Sequence, residues 1–334
     1  MLRAAKSFCP AIFSMHRFSP LIRGGAIGAV LVFLSGAISF GQIDFPACSH
    51  RLEKIGIIKC DFGTGRPNSK TGGTDECEFR VGRNGDLYFG FYEQGKICRL
   101  DSGGKLIRAV FTGVALTRRS SGFALSPEGD LFVLDGPRKN LYRYDASLDL
   151  IGKYSVAGGE ELEPICGFVA TSWGDLLVAG GLKLNIWKLQ PLGQGFLVKP
   201  IYLPETYHYS FLSEITERRI LATDPLGALM VLDRFGNLLK TFSFKKGLRS
   251  AAVGQDFLAT FWPFTEIMVL DTVGVVLANW KTAELDSTFE KVIDFQVVQE
   301  KAYFLLPSLE KVLVLRIVRA DSGLSIGEKS HRPE

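Results

Sequence analysis

Histidine is nearly missing from this chain: His16, His50, His208 and His331 are the four in 334 residues. Imidazole is the commonest metal ligand and the side chain that titrates nearest neutrality. Its scarcity excludes a histidine-rich metal centre and leaves no basis for a Ser-His-Asp triad. The six cysteines include no C-x-x-C pair, which removes zinc-site and thioredoxin-type readings. None of the six Asn residues sits in an N-x-Ser/Thr sequon, in keeping with a bacterial exported protein. An excess of one charge is lacking too. The formal +4 comes from Arg3, Lys6, Arg17 and Arg23, in a stretch (1–41) with no acidic residue, and the remainder carries 35 residues of each sign. A balanced chain has no electrostatic footprint for nucleic acid, and the pair Arg118-Arg119 does not make one.

Gly24 to Ile43 contains no charge and has the apolar centre Ala26-Ile-Gly-Ala-Val-Leu-Val-Phe-Leu34. Basic residues precede it, and Ser39-Phe-Gly41 supplies small residues before Gln42. These features predict a secretory signal peptide over 1–41, with a membrane anchor through 24–43 as the alternative. Met15 begins a leader of more usual proportions than Met1 does. Residues 42–52 form a lead-in. Export permits disulfides, and Cys60 with Cys77, which flank a Gly-rich loop, is the pair to expect. The loop itself, Gly63 to Thr71, looks like a phosphate loop but lacks the Gly before Lys70 and a following helix. It reads as a connection.

What the chain does contain is a long repeat. Gly85-Asp-Leu-Tyr-Phe, Gly129-Asp-Leu-Phe-Val and Gly174-Asp-Leu-Leu-Val each precede a second apolar strand. Those strands are Lys96-Ile-Cys-Arg-Leu-Asp, Asn140-Leu-Tyr-Arg-Tyr-Asp and Asn185-Ile-Trp-Lys-Leu-Gln. The series continues at Ala228-Leu-Met-Val-Leu-Asp, Glu266-Ile-Met-Val-Leu-Asp and Lys311-Val-Leu-Val-Leu-Arg. A Phe-bearing strand comes first in each unit (Phe79, Phe123, Phe168, Phe211, Phe295), and a fourth strand follows a turn such as Asp101-Ser-Gly-Gly. Four short strands in roughly 44 residues cannot bury both faces alone, so the units must stack around an axis. The last unit lacks a fourth strand, and the alternating segment Glu53–Cys60 is expected to pair at its edge and close the ring. Asp86, Asp130 and Asp175 recur with the repeat and read as turn residues.

These motifs resemble the NHL-repeat-like and TolB-like six-bladed β-propellers. The resemblance implies an all-β, six-bladed propeller of four-stranded antiparallel blades over 53–318, closed by the N-terminal strand, with a flexible tail over 319–334. The family contains binding scaffolds as well as lactonases and lyases, so the fold alone does not choose a function. Lactonase-like members hold a divalent cation with acidic and amide side chains around the axis, and no residue-by-residue match to such a set is found. No cofactor is expected; calcium remains possible, since Glu76, Glu78, Glu214, Asp224, Asp256 and Asp294 could supply oxygen ligands. Each of them reads more readily as a solvated loop or turn carboxylate.

In a propeller, the links between second and third strands share one face with the links between blades. Two of them are aromatic-rich, Phe91-Tyr92-Glu93 and Phe261-Trp262-Pro-Phe264, and others bring Arg138, Lys139 and Asp224. Aromatic groups with nearby charges are the usual anchors of interfaces and small-ligand sites. The reading is therefore an exported, monomeric propeller that binds a protein, glycan or small molecule at this face. Contact with a membrane follows only if the leader stays attached. The alternative is a metal-dependent lactonase-like hydrolase or lyase with a site at the central channel.

Overall fold

The computed structural model describes residues 50–62, 77–91, 94–112, 121–180, 185–201, 211–215, 218–223, 229–242, 250–253, 258–262, 266–270, 276–281, 292, 294–306 and 311–319. Apart from one short 3-10 turn, Gly159–Leu162, the regular structure there is β. After His50–Lys59 (β1), the first four-strand set is Cys77–Val81 (β2), Leu87–Phe91 (β3), Lys96–Leu100 (β4) and Leu106–Phe111 (β5). The second is Ser121–Leu125 (β6), Leu131–Asp135 (β7), Asn140–Tyr144 (β8) and Leu150–Ala157 (β9). The third is Ile165–Ala170 (β10), Leu176–Gly180 (β11), Asn185–Leu192 (β12) and Gly195–Ile201 (β13). Then come Phe211–Ile215 (β14), Arg219–Thr223 (β15), Leu229–Asp233 (β16) and Leu238–Phe242 (β17). These are followed by Ser250–Val253 (β18), Leu258–Trp262 (β19), Glu266–Leu270 (β20) and Val276–Lys281 (β21). The chain ends its regular structure with Asp294–Val298 (β22), Lys301–Leu305 (β23) and Lys311–Arg319 (β24).

Each set is an antiparallel meander, and its first strand touches the first strand of the next: β2 meets β6, then β10, β14, β18 and β22, which returns to β2. The recurring Phe explains why. Phe79, Phe123, Phe168 and Phe295 are all but fully buried on these inner strands. Close packing depends on small neighbours: a Cβ on Gly90 would lie 2.5 Å from the Phe123 ring. The second strands β3 and β11 are buried at every position, as expected of strands covered on both faces, which read as continuous apolar runs. The outer strands β5 and β17 are partly to largely exposed, and Ile107, Phe111, Leu238 and Leu239 are among their exposed side chains.

The expected closure is present. The last sheet runs β1-β24-β23-β22, with β1 antiparallel to β24 from His50↔Arg319 to Lys59↔Lys311. One feature departs from separate units. The second and third sets form a single eight-stranded sheet, joined by a short parallel contact of β13 with β9 at Phe196↔Val156 and Leu197↔Ala157. The β12–β13 hairpin is long enough to lean across. At its tip Gly195 lets the backbones meet, since a Cβ there would lie 2.7 Å from the Ser155 carbonyl oxygen.

Two expectations need correction. The Cys60–Cys77 disulfide is not formed: both cysteines, like Cys98, are thiols. Cys60, Cys77 and Cys98 instead fill space in the core around Phe79 and Phe89, acting as small apolar groups. Burial pushes the Cys60 thiol up to about 12 and the Cys98 thiol up to about 11. At about pH 8 both are therefore protonated and unreactive. Iodoacetamide should modify exposed Cys166 in the native protein and reach Cys60 and Cys98 only in denaturant, as read by peptide mass mapping.

The second correction concerns Asp86, Asp130 and Asp175. Their backbones close the turns, as in Gly82 N–H to the Asp86 carbonyl at 2.8 Å, but their carboxylates reach a cation on the third strand. Asp86 Oδ2 accepts from Arg99 Nε (2.9 Å) and Nη2 (2.5 Å), Asp130 Oδ2 from Arg143 Nε (2.8 Å) and Nη2 (2.5 Å), and Asp175 Oδ2 from Lys188 Nζ (2.6 Å). Turn capping falls to another recurring Asp. Asp101, Asp145 and Asp233 each accept, through Oδ1, the N–H groups two and four residues on, at 2.8–2.9 Å.

Candidate functional site

The predicted face is described only in part. Tyr92, Glu93, Asp224 and Phe264 lie outside the described residues, as do Glu76, Asp256, the leader and the tail beyond Arg319. Phe91 is not a link residue: it ends β3, is 4% exposed and packs edge-to-face on Phe62 at 5.5 Å. The buried run of β3 extends through Phe91 itself. Phe261 and Trp262 likewise belong to β19, in register with Ile267 and Glu266. Arg138 and Lys139 are brought together in the β7–β8 turn. Arg138 donates its N–H to Asp135 Oδ1 (3.2 Å), and Lys139 Nζ pairs with Glu160 (2.9 Å), holding that carboxyl below its ordinary range.

On the opposite face the structure forms a cleft of about 480 Å³ between the second and third sets. It lies among the turns that join first to second and third to fourth strands. The inner strands β6 and β10 touch at its base, and the β13–β9 contact bounds it outside. Tyr154 on β9 and Phe196 on β13 meet edge-to-face at 5.5 Å across this seam. Gly152 leaves room for Tyr154 to fold back, since a Cβ there would lie 2.3 Å from the tyrosine oxygen. Arg143 stands over the Phe132 ring at 5.7 Å while bonded to Asp130, which raises its pKa.

Asp130 and Asp175 both line the cleft, with Glu128 and Gln194 at its rim. Arg143 binds Asp130 through Oδ2 alone, and Asp175 Oδ2 takes both Lys188 and the Trp173 indole N–H (3.0 Å). The other oxygen of each carboxylate has no hydrogen bond among the described residues. Rings with apolar faces beside oriented acceptors can hold a hydroxyl-rich ligand that has a C–H face. The constant 13-residue spacing of Asp86/Arg99, Asp130/Arg143 and Asp175/Lys188 was the available sequence signal for these pairs.

Of the carboxylates considered for calcium, Glu78 pairs with Arg80 and accepts the Phe123 N–H (3.3 Å). Glu214 accepts from the Ser172 N–H (2.6 Å) and hydroxyl, and Asp294 accepts the Phe295 N–H (2.8 Å). Among the described residues no three His, Cys, Asp or Glu side chains converge as a metal site.

No protein-family model and no curated protein sequence matches this chain. Solved structures do. Virginiamycin B lyase from Staphylococcus aureus is similar at 12% identity, over 80% of this chain and 100% of that one, with TM-score 0.54. The Pan2 WD40 domain of Neurospora crassa is similar at 16% identity, over 81% and 97%, with TM-score 0.52. Chaetomium thermophilum Raptor is similar at 14% identity, over 78% of this chain but 24% of its own, with TM-score 0.55, so the chain spans about a quarter of it. At these identities the likeness is one of fold, and the fold is a β-propeller.

Proposed function

We propose that this chain is an exported, six-bladed propeller of the NHL-like kind that serves as a binding module, with a glycan-type ligand in the cleft between its second and third blades. The six-fold count is supported by the cycle of inner-strand contacts and by the joined sheet being two four-strand meanders. The observation that carries the binding reading is the cleft itself: Phe132, Tyr154 and Phe196 beside two carboxylates, each held by a cation through one oxygen. A sugar would stack a C–H face on the rings and donate hydroxyls to the remaining oxygens. A glycan array probed with the purified protein, followed by calorimetry on any hit, tests this. Phe196→Ala and Gln194→Ala should each weaken binding about tenfold. An empty array, or hits indifferent to both substitutions, overturns the reading.

The likeness to a lyase keeps a hydrolase or lyase as the second reading. The inactive form of that lyase carries alanine for a histidine, and His208 is the single histidine within the repeats here. Its metal-dependent version requires a calcium-induced rise in melting temperature that is lost on chelation.

A further inference from the structure

A second cavity, of about 390 Å³, lies where β1 crosses from the last set towards the first. Its polar lining is basic and neutral: Arg83 and Asn84 from the β2–β3 turn, Ser102 from the β4–β5 turn, Gln299, Lys301 and Tyr303 from the β22–β23 hairpin. No carboxylate lines it. The acidic residues next to it in sequence are engaged elsewhere, Asp86 with Arg99, Asp101 with its own turn N–H groups, and Glu300 with Arg316 at 3.4 Å. Arg83 and Lys301 have no ion-pair partner among the described residues.

The other wall is apolar. Ile55, Ile57, Val298 and Val314 line it, and Ile55 and Ile57 are 49% and 44% exposed. The β1/β24 register shifts between Lys54 and Gly56, leaving Ile55 as the extra residue of a bulge, and bulges re-aim side chains. The cavity thus sets two exposed isoleucines beside two cations that have no ion-pair partner among the described residues.

We propose that this cavity binds an amphiphilic anion, its acidic group at Arg83 and Lys301 and its apolar part on Ile55, Ile57, Val298 and Val314. Two sources share that chemistry, a free acyl carboxylate and an anionic lipid. Gly56 provides a block that leaves the cations intact: a Cβ there meets nothing within 4 Å, so Gly56→Leu should fold and fill the space. Octanoate, octanol and inorganic phosphate are titrated by saturation-transfer NMR into the full chain, the double variant Arg83→Gln/Lys301→Gln, and Gly56→Leu.

Octanoate should bind at least about tenfold tighter than octanol or phosphate, and both variants should lose about tenfold with circular dichroism unchanged. In a parallel arm, sedimentation with phosphatidylglycerol vesicles but not phosphatidylcholine vesicles, lost in the double variant, identifies a lipid as the source. Octanoate binding without sedimentation identifies a free anion. Octanoate no tighter than octanol, or binding indifferent to both variants, overturns the proposal.

Discussion

Replacing Arg99 with methionine should destabilise the propeller by about 3–5 kcal/mol, the usual consequence of leaving a buried carboxylate without its cation. Asp86 is 9% exposed in its side chain, and Arg99 is its salt-bridge partner. Arg99 also ties two sets together, donating through Nη1 to the Ala146 carbonyl in the next third-to-fourth-strand turn. The same repeat position provides internal controls. Arg143 and Lys188 are 42% and 36% exposed, and their partners Asp130 and Asp175 are each 19% exposed. Solvent screens those pairs, so Arg143→Met and Lys188→Met should cost no more than about 1 kcal/mol each. Urea unfolding of the three variants checks the gradient. Adding Asp86→Asn to Arg99→Met should recover part of the loss by removing the stranded charge. Equal midpoints for all three single variants would sink the argument.

Gly104→Ala should be as damaging, for steric reasons. Gly104 has φ +91°, a conformation in which an L side chain is strained. A Cβ there would also lie 2.2 Å from the Lys59 carbonyl oxygen and 2.7 Å from an Ile58 methyl. Its own carbonyl accepts the Asp61 N–H at 2.7 Å, and the Leu106 N–H returns to the Asp61 carbonyl at 3.1 Å. These two bonds fasten the segment after β1 to the first set, so the clash falls on the ring closure. Strain of about 1–3 kcal/mol and overpacking of about 1–3 kcal/mol both apply. Gly174→Ala is the matched control: φ is +86°, but nothing lies within 4 Å of the added Cβ, so only the strain remains. Thermal unfolding should place Gly104→Ala well below Gly174→Ala. Coincident curves would show that the close approach to Lys59 carries no weight.

The contrast between these two glycines, both followed or preceded by ordinary turn residues, shows where reading the chain stops. A positive φ leaves a trace in composition, because glycine tolerates it at a turn. A backbone oxygen from another set, 2.2 Å from the place of a missing Cβ, leaves none. The same division holds at the candidate site. Phe196 and Tyr154 read as ordinary strand aromatics, and only the lean of the β12–β13 hairpin onto β9 brings their rings into contact. Phe91 fails the other way: it sits one residue before polar Tyr92-Glu93, yet Phe62 and Phe89 claim it for the core.

Strand length, the recurring Phe, the Asp-led turns and the unpaired Glu53–Cys60 segment are local or periodic properties. A residue's neighbours along the chain suffice to specify them, which is why the repeat and its closure were legible from the amino acids alone. The union of the second and third sets, the free thiols packed around Phe79, and the two clefts arise from contacts between repeats. Those depend on side-chain volumes meeting across distances of many tens of residues, where packing density chooses the partner. Scarce histidine and absent charge excess narrowed the chemistry. The positions of Asp130, Asp175, Arg83 and Lys301 around enclosed space then indicated where ligands could sit.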